Sequence, residues 1–265
     1  MILEQVFIGV LGYPNIIRKK RMRAQWEAFG LEDHVWTYEG IDLKDCRVKE
    51  ILVDEEGKIR PQADGVRRNF SITWGHLDMV KKFVHHTTWE YAIFCENDIV
   101  ISRKLEQDVS WALDKMRSHE LDIVLLGYLN CLAPDQYRDH YSVLVDSKDG
   151  DDEKRTLYHY PDDHWGVQMY MISRAYATRM LDTFTLDFVR RSWREEPGVP
   201  VFSPDHTISK LASKDKRAML FPMAAIEDGT TSYDHGGQHN FHQASFHLYY
   251  SAERYFPPRM GDDDD

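Results

Sequence analysis

Tyr91-Ala92-Ile93-Phe94-Cys95-Glu96-Asn97-Asp98-Ile99 is the stretch that decides the fold class. Its first five residues form an apolar run without polar alternation, the pattern of a strand buried on both faces. Two carboxylates, one residue apart, follow at once. In open parallel sheets ligands collect outside the carboxyl ends of strands, so Glu96 and Asp98 stand where chemistry is expected. A hard divalent cation takes oxygen ligands, and a carboxylate can reach a diphosphate through such a cation. Asp and Asn also suit an ordinary surface turn, and that reading stays open at this point.

Moving toward the N-terminus, Val6 to Leu11 (VFIGVL) is a second short apolar run, ended by Gly12 and Pro14. The segment after it places Ile17, Met22, Trp26 and Phe29 at helical spacing, with Gly30 as a stop. His34 to Tyr38 then reads as a strand closing on Gly40 and Asp42. Strand, helix, strand with short joints opens a parallel α/β sheet. Residues 43–65 are expected to form a surface excursion, and Phe70, Trp74, Leu77, Val80 and Val84 mark one face of a helix.

Toward the C-terminus, Leu105, Val109, Ala112, Leu113 and Met116 predict another helix, and Asp122 to Leu126 a strand stopped by Gly127. The polar stretch 133–164 reads as long loop structure of the kind that forms binding lids. Gln168 to Ile172 predicts a strand, with Ser173 capping a helix that turns Ala177, Met180 and Leu181 inward. Asp205 begins a short helix, and Ala218 to Pro222 is the last expected strand. Without internal repeat or linker, the expectation is one α/β domain over residues 1–265, with an acidic tail at 261–265.

Composition narrows the function classes. Hydrophobic residues make up 42% and charged residues 29%, the profile of a globular chain. A net charge of -11 argues against nucleic-acid binding, which needs a basic face. Cys46, Cys95 and Cys131 lack metal-knuckle spacing and read as free thiols in a reducing compartment. No apolar stretch approaches the roughly 20 residues of a transmembrane segment, and Met1 to Leu11 lacks the basic start of a signal peptide, so a cytoplasmic protein is expected.

Trp74-Gly75-His76-Leu77, the turn Glu96-Asn97-Asp98, the strand Ile123 to Gly127, Gly166 to Arg174 with Ala177, and Pro204-Asp205 occur in an order that resembles glycosyltransferase family 25. That family includes lipopolysaccharide-modifying and collagen galactosyltransferases, and the similarity spans roughly residues 70–230. It implies a GT-A fold, Rossmann-like, with a mostly parallel central sheet flanked by helices. It also implies a nucleotide-sugar donor (a UDP- or GDP-sugar), a glycan acceptor and inversion at the anomeric centre. The family's acidic motif is usually Glu-Asp-Asp, so Asn97 departs at the middle position, and its usual Ser-His is Gly-His here.

Carried over residue by residue, the resemblance makes Asp98 the direct ligand of Mn²⁺ or Mg²⁺. Glu96, His76 and Gln168 fall on the donor side, and His235, on a C-terminal loop, would be a further metal ligand. Asp205 would be the base that takes the acceptor proton, although an Asp before a helix is equally a good N-cap. Asp162 and Asp163 are reserve candidates. Asp42 could hold the nucleoside of the donor or cap a turn. Arg18, Arg21 and Arg23 could lie near the diphosphate or form a solvated helix face. Trp165 and Tyr170 could form a sugar platform or pack into the core. Two rival readings remain: a histidine-rich metal-dependent hydrolase built on His235, His239 and His242, and a sugar-binding relative without catalysis.

Overall fold

Tyr91–Glu96 becomes a strand buried on both faces, with Ala92 and Phe94 turned into one apolar core and Ile93 and Cys95 into another. That is why the run needs no polar alternation. The computed structural model describes residues 2–13, 15–41, 64–130, 134–137, 140–147, 153–230 and 236–258. Asp42, Cys46, Cys131, His235 and the acidic tail lie outside them.

In chain order the strands are β1 (Phe7–Gly12), β2 (Val35–Glu39), β3 (Tyr91–Glu96), β4 (Ile99–Ile101), β5 (Ile123–Leu129), β6 (Ser142–Asp146), β7 (Thr156–His159), β8 (Trp165–Ser173), β9 (Arg217–Phe221) and β10 (Ala225–Glu227). The helices are α1 (Ile16–Glu27), α2 (Asp64–His86), α3 (Leu105–Ser118), α4 (Arg174–Thr183), α5 (Leu186–Trp193), α6 (Pro204–Thr207) and α7 (Gly236–Tyr249). Eight strands form one sheet in the order β2-β1-β3-β8-β5-β9-β7-β6, while β4 and β10 form a separate antiparallel pair. β1 runs parallel to β2 and β3, and β5 parallel to β9. β8 is inserted antiparallel between β3 and β5, and β7 runs antiparallel to β9 and β6. Six of the eight strands therefore share one direction, and the expected α/β architecture with a mostly parallel sheet holds.

Helices cover both faces. Met22 and Trp26 of α1 and Leu105, Val109, Ala112 and Met116 of α3 pack on one side, against Ile8, Val10, Ile93 and Val124. Phe70, Trp74, Leu77, Val80 and Phe83 of α2, with Tyr176 and Met180 of α4, pack on the other. Each of these large apolar side chains contributes about 1.5–3 kcal/mol by leaving water. The joints follow local chemistry: Asn15 caps α1 by accepting from the Ile17 and Arg18 amides, and Gly30 ends the turn after it at φ 66°. Ser173 caps α4 through the Tyr176 amide. Among the described residues no helix is long and apolar enough to cross a membrane.

Several expectations change. The stretch 133–164 is not all loop: β6 and β7 form a hairpin that extends the sheet. Gly127 does not stop β5, which runs on to Leu129 through a register shift at that glycine. A Cβ there would meet the Ala225 carbonyl oxygen at 2.6 Å, so the glycine lets β10 pass close by. Ala218 to Pro222 is not the last strand, because β10 and then α7 follow. Asp205 is not an N-cap: Ser203 occupies that position, and Asp205 sits inside the first turn of α6.

Candidate active site

Parallel β1, β2, β3 and β5 deliver their carboxyl ends to one edge of the sheet. β8 runs the other way, so its first residue, Trp165, arrives at that same edge, in register with Leu129. The turn Asn97-Asp98 leaves β3 there and leads into β4. Antiparallel pairing of β4 with β10 sets Glu227 opposite Ile99, and the Asp228 amide donates to the Asp98 carbonyl at 2.7 Å. Four stretches distant in sequence thus place Glu96, Asp98, Gln168, Asp205, Glu227 and Asp228 around one edge.

Each carboxylate has a distinct set of neighbours. Asp98 Oδ2 accepts from Arg18 Nη1 at 3.1 Å, while Oδ1 is buried without a hydrogen-bond partner. Glu227 Oε2 accepts from His242 Nδ1 at 2.8 Å and from Gln168 Nε2 at 3.2 Å, and Gln168 Oε1 is buried without a partner. Asp228 pairs with the buried guanidinium of Arg21 and accepts from the Thr230 amide and hydroxyl. Glu96 Oε1 lies 3.6 Å from Nε2 of His76. His76 Nδ1 lies 3.0 Å from the Tyr170 hydroxyl. Asp205 Oδ1 accepts from the Gly166 amide at 2.6 Å.

The electrostatics follow from crowding like charges in a poorly solvated place. Burial, then the charges of Asp98, Glu227 and Asp205, push Glu96 well above the usual carboxylate range, with Arg18 opposing. Burial and Glu227 raise Asp98 to about 6, against the pull of Arg18 and Arg21. Burial raises Asp205 as well, opposed chiefly by the Gly166 amide. His76 is forced down to about 3 by burial and stays neutral. Burial also lowers His242, but the hydrogen bond and charge of Glu227 and the charge of Asp98 outweigh it, leaving the ring more basic than an ordinary imidazole. Such an edge attracts a positive charge and is uncomfortable without one.

The structure brings together Glu96, Asp98, His76, Gln168 and Asp205 from the sequence reading; Asp42 and His235 lie outside the described residues. Arg18 and Arg21 turn inward, onto Asp98 and Asp228, whereas Arg23 pairs with Glu27 on the outer face of α1. Asp162 pairs with Arg217 and Lys214, and Asp163 with His140, so both reserve candidates are engaged away from the cluster. Tyr170 is fully buried, and Trp165 is exposed. Asn97 has a structural reason to be an amide: its Nδ2 donates to the Tyr13 carbonyl at 3.2 Å, which an ionised Asp could not do. His242 is engaged by Glu227, and among the described residues no three His, Cys, Asp or Glu side chains form a ready metal-binding group. Sequence reasoning missed Glu227 and Asp228. The available signal was Ala224-Ala225-Ile226-Glu227-Asp228, a second short apolar run ending in two acids, as at 95–98.

No family model and no curated protein sequence matches the chain. Among solved structures, a glycosyltransferase involved in glycosylation of the major capsid of PBCV-1 superposes at a TM-score of 0.42 and 10% identity, covering 85% of this chain and 94% of that one. Mannose-1-phosphate geranyltransferase from Thermus thermophilus superposes at a TM-score of 0.40 and 12% identity, covering 80% of this chain and 72% of that one. Neither likeness is close enough to define the fold, which its own strand order defines.

Proposed function

We propose that the chain is a glycosyltransferase that moves a sugar from a nucleotide-sugar donor to a hydroxyl of a glycan acceptor, with inversion. The observation that carries this reading is the buried, unpartnered Oδ1 of Asp98, set among Glu96 and Glu227 at the carboxyl edge of a parallel sheet. A donor diphosphate brings two negative charges to the site, so this edge accepts it only together with a cation. The donor set fits a hard divalent ion: oxygen atoms, one of them buried with no proton donor, at a place where like charges raise proton affinity. Asp98 would hold Mn²⁺ or Mg²⁺ with few other protein ligands, the diphosphate completing the shell, and the ion would offset charge on the departing nucleoside diphosphate.

The chain's own groups perform the rest. Arg18 shares the Asp98 carboxylate and is placed to move onto phosphate oxygens when donor and metal arrive. Glu96, backed by neutral His76, and Gln168, whose amide oxygen is unpartnered, would hold donor hydroxyls. Asp205 takes the proton from the acceptor hydroxyl as that oxygen attacks the anomeric carbon and the bond from that carbon to the diphosphate breaks. Burial strengthens Asp205 as a base, and the Gly166 amide fixes its orientation.

The test is donor binding and transfer in parallel. With Mn²⁺, one class of nucleotide sugar should raise apparent stability by about 2.7 kcal/mol at a hundredfold excess over Kd. Asp98→Ala should abolish that metal-dependent gain. Asp205→Asn should keep it while slowing transfer by roughly 10²–10⁴, the usual contribution of a general base. Full transfer by the Asp98 variant would sink the assignment, and donor binding without turnover in the native protein would favour a non-catalytic sugar binder.

A further inference from the structure

β8 is buried along almost its whole length, yet its first residue, Trp165, is 53% exposed. The residue before it is held rigidly. His164 is buried, its Nδ1 lies 3.1 Å from the Tyr141 hydroxyl, and its ring sits 5.0 Å from Tyr128 and 5.4 Å from Tyr160. The residue after it, Gly166, fixes Asp205 through its amide. An open indole is thus anchored on both sides, one residue from the contact that orients the proposed base. Single exposed aromatic residues are common and need no explanation of their own. This one has company that an idle surface residue lacks.

Two polar side chains of the segment that carries Asp205 flank the indole. The His206 ring stands nearly perpendicular to it at 6.4 Å, and the Lys210 ammonium lies 5.1 Å from its centroid. Lys210 is partly buried, and among the described residues no carboxylate comes within ion-pair distance of it. Asp205, Asp162 and Asp163 act on it only at longer range, each having a closer contact: Asp162 with Arg217 and Lys214, Asp163 with His140, and Asp205 with the Gly166 amide. An ammonium that makes no close ion pair among the described residues, beside a half-exposed indole, is a complementary arrangement for an anion. Sugars stack on indoles through their C–H faces, and a carboxylate on the ring would reach the ammonium.

We propose that Trp165, His206 and Lys210 form the acceptor subsite and select a sugar that carries a carboxylate. The inference rests on the transferase reading with Asp205 as base, and it narrows the acceptor from any glycan to an acidic one. Asp205, on the same short segment, faces the hydroxyl of the sugar held on Trp165.

The experiment titrates ¹⁵N-labelled protein with methyl glucuronide and methyl galacturonide, and with methyl glucoside and methyl galactoside as neutral counterparts. The Trp165 indole resonance is assigned with Trp165→Phe. Saturable shifts of that resonance with the uronides, at several-fold lower Kd than with the neutral glycosides, are expected. Lys210→Gln should weaken uronide binding roughly fivefold, the size of one partly screened charge pair, and leave the neutral glycosides unaffected. Native-like spectral dispersion of the variant shows that it is folded. Equal response to charged and neutral glycosides, or no response at the indole, overturns the proposal. Donor binding of the native protein, read separately with Mn²⁺ and nucleotide sugars, separates the two failures. A silent indole beside normal donor binding removes the acceptor subsite alone, and absent donor binding removes the transferase reading whatever the indole shows.

Discussion

Asp98 illustrates how a site residue can be a burden to its own fold. Its folded-state pKa, about 6, lies above the ordinary carboxylate value because burial and Glu227 disfavour its charge. The sign follows directly: the folded chain carries that cost in full above about pH 6, and the cost fades as pH falls toward the unfolded value. In metal-free protein Asp98→Asn should therefore be more stable than the native chain at pH 7.5, by roughly 1–3 kcal/mol, with the gap falling to about half by pH 5. Asn keeps an oxygen for Arg18, so the hydrogen bond survives in the variant while the ion pair is lost. Urea unfolding with chelator at both pH values checks this, and a variant less stable at pH 7.5 would refute it. His164 acts in the opposite sense. Burial holds it neutral down to about pH 3, so below the unfolded value near 6.5 it should cost the fold about 1.4 kcal/mol per pH unit. The comparison of native and variant chains at each pH cancels that background.

Among the elements, β8 shows what periodicity conveys and what it omits. Its apolar run marked a buried strand, and Ser173 marked the helix that follows. Nothing in the run encodes direction, so its antiparallel insertion between β3 and β5 was not legible, although that insertion is what brings Gln168, Gly166 and Trp165 to the edge that carries the acidic cluster. The hairpin of β6 and β7 was hidden by its composition, because β6 is an outer strand with exposed and half-buried positions. α7 was hidden by Gly236-Gly237, a loop signal by propensity that here opens a helix. Gly166 binds strand to site. Its φ of 93° is closed to most side chains, and a Cβ would meet the Leu129 amide nitrogen at 2.4 Å and the Gln168 side chain at 2.6 Å. Gly166→Ala should lose about 2–3 kcal/mol of stability and reduce transfer at least as much as it reduces donor binding, because the amide that orients Asp205 moves with it. A variant with native melting temperature and native transfer would show that the edge tolerates the displacement.

For the whole molecule, the acidic turn at 96–98 was readable because one short stretch carries it, whereas the cluster that completes it was not. Glu227 and Asp228 reach the turn only through the pairing of β10 with β4, and Arg21 only because α1 packs across that edge. A second assembly of this kind shares no residue with the site. Asp108 of α3 accepts from Arg155, beside β7, at 2.8 Å and from Arg254, near the C-terminus, at 2.8 Å, and its side chain is fully buried. One carboxylate thus ties a helix, the outer hairpin and the C-terminal segment, and Arg254 also donates to the Met223 carbonyl at 3.1 Å. Burial raises Asp108 despite both guanidinium groups, so the ensemble is no simple store of Coulomb energy. Removing the carboxylate alone leaves Arg155 buried with only the Glu153 carbonyl, and Arg254 with the Glu153 carboxylate and backbone carbonyls; breaking such a buried pair typically costs about 3–5 kcal/mol. Asp108→Ala should therefore lower the melting temperature by roughly 6–20 °C in a chain of this size while leaving donor affinity unchanged below the transition. Calorimetry with donor titration at low temperature reads both quantities. A loss under about 1 kcal/mol would mean that Glu153 and the backbone carbonyls satisfy Arg155 and Arg254, and that the outer hairpin and C-terminal segment do not depend on Asp108.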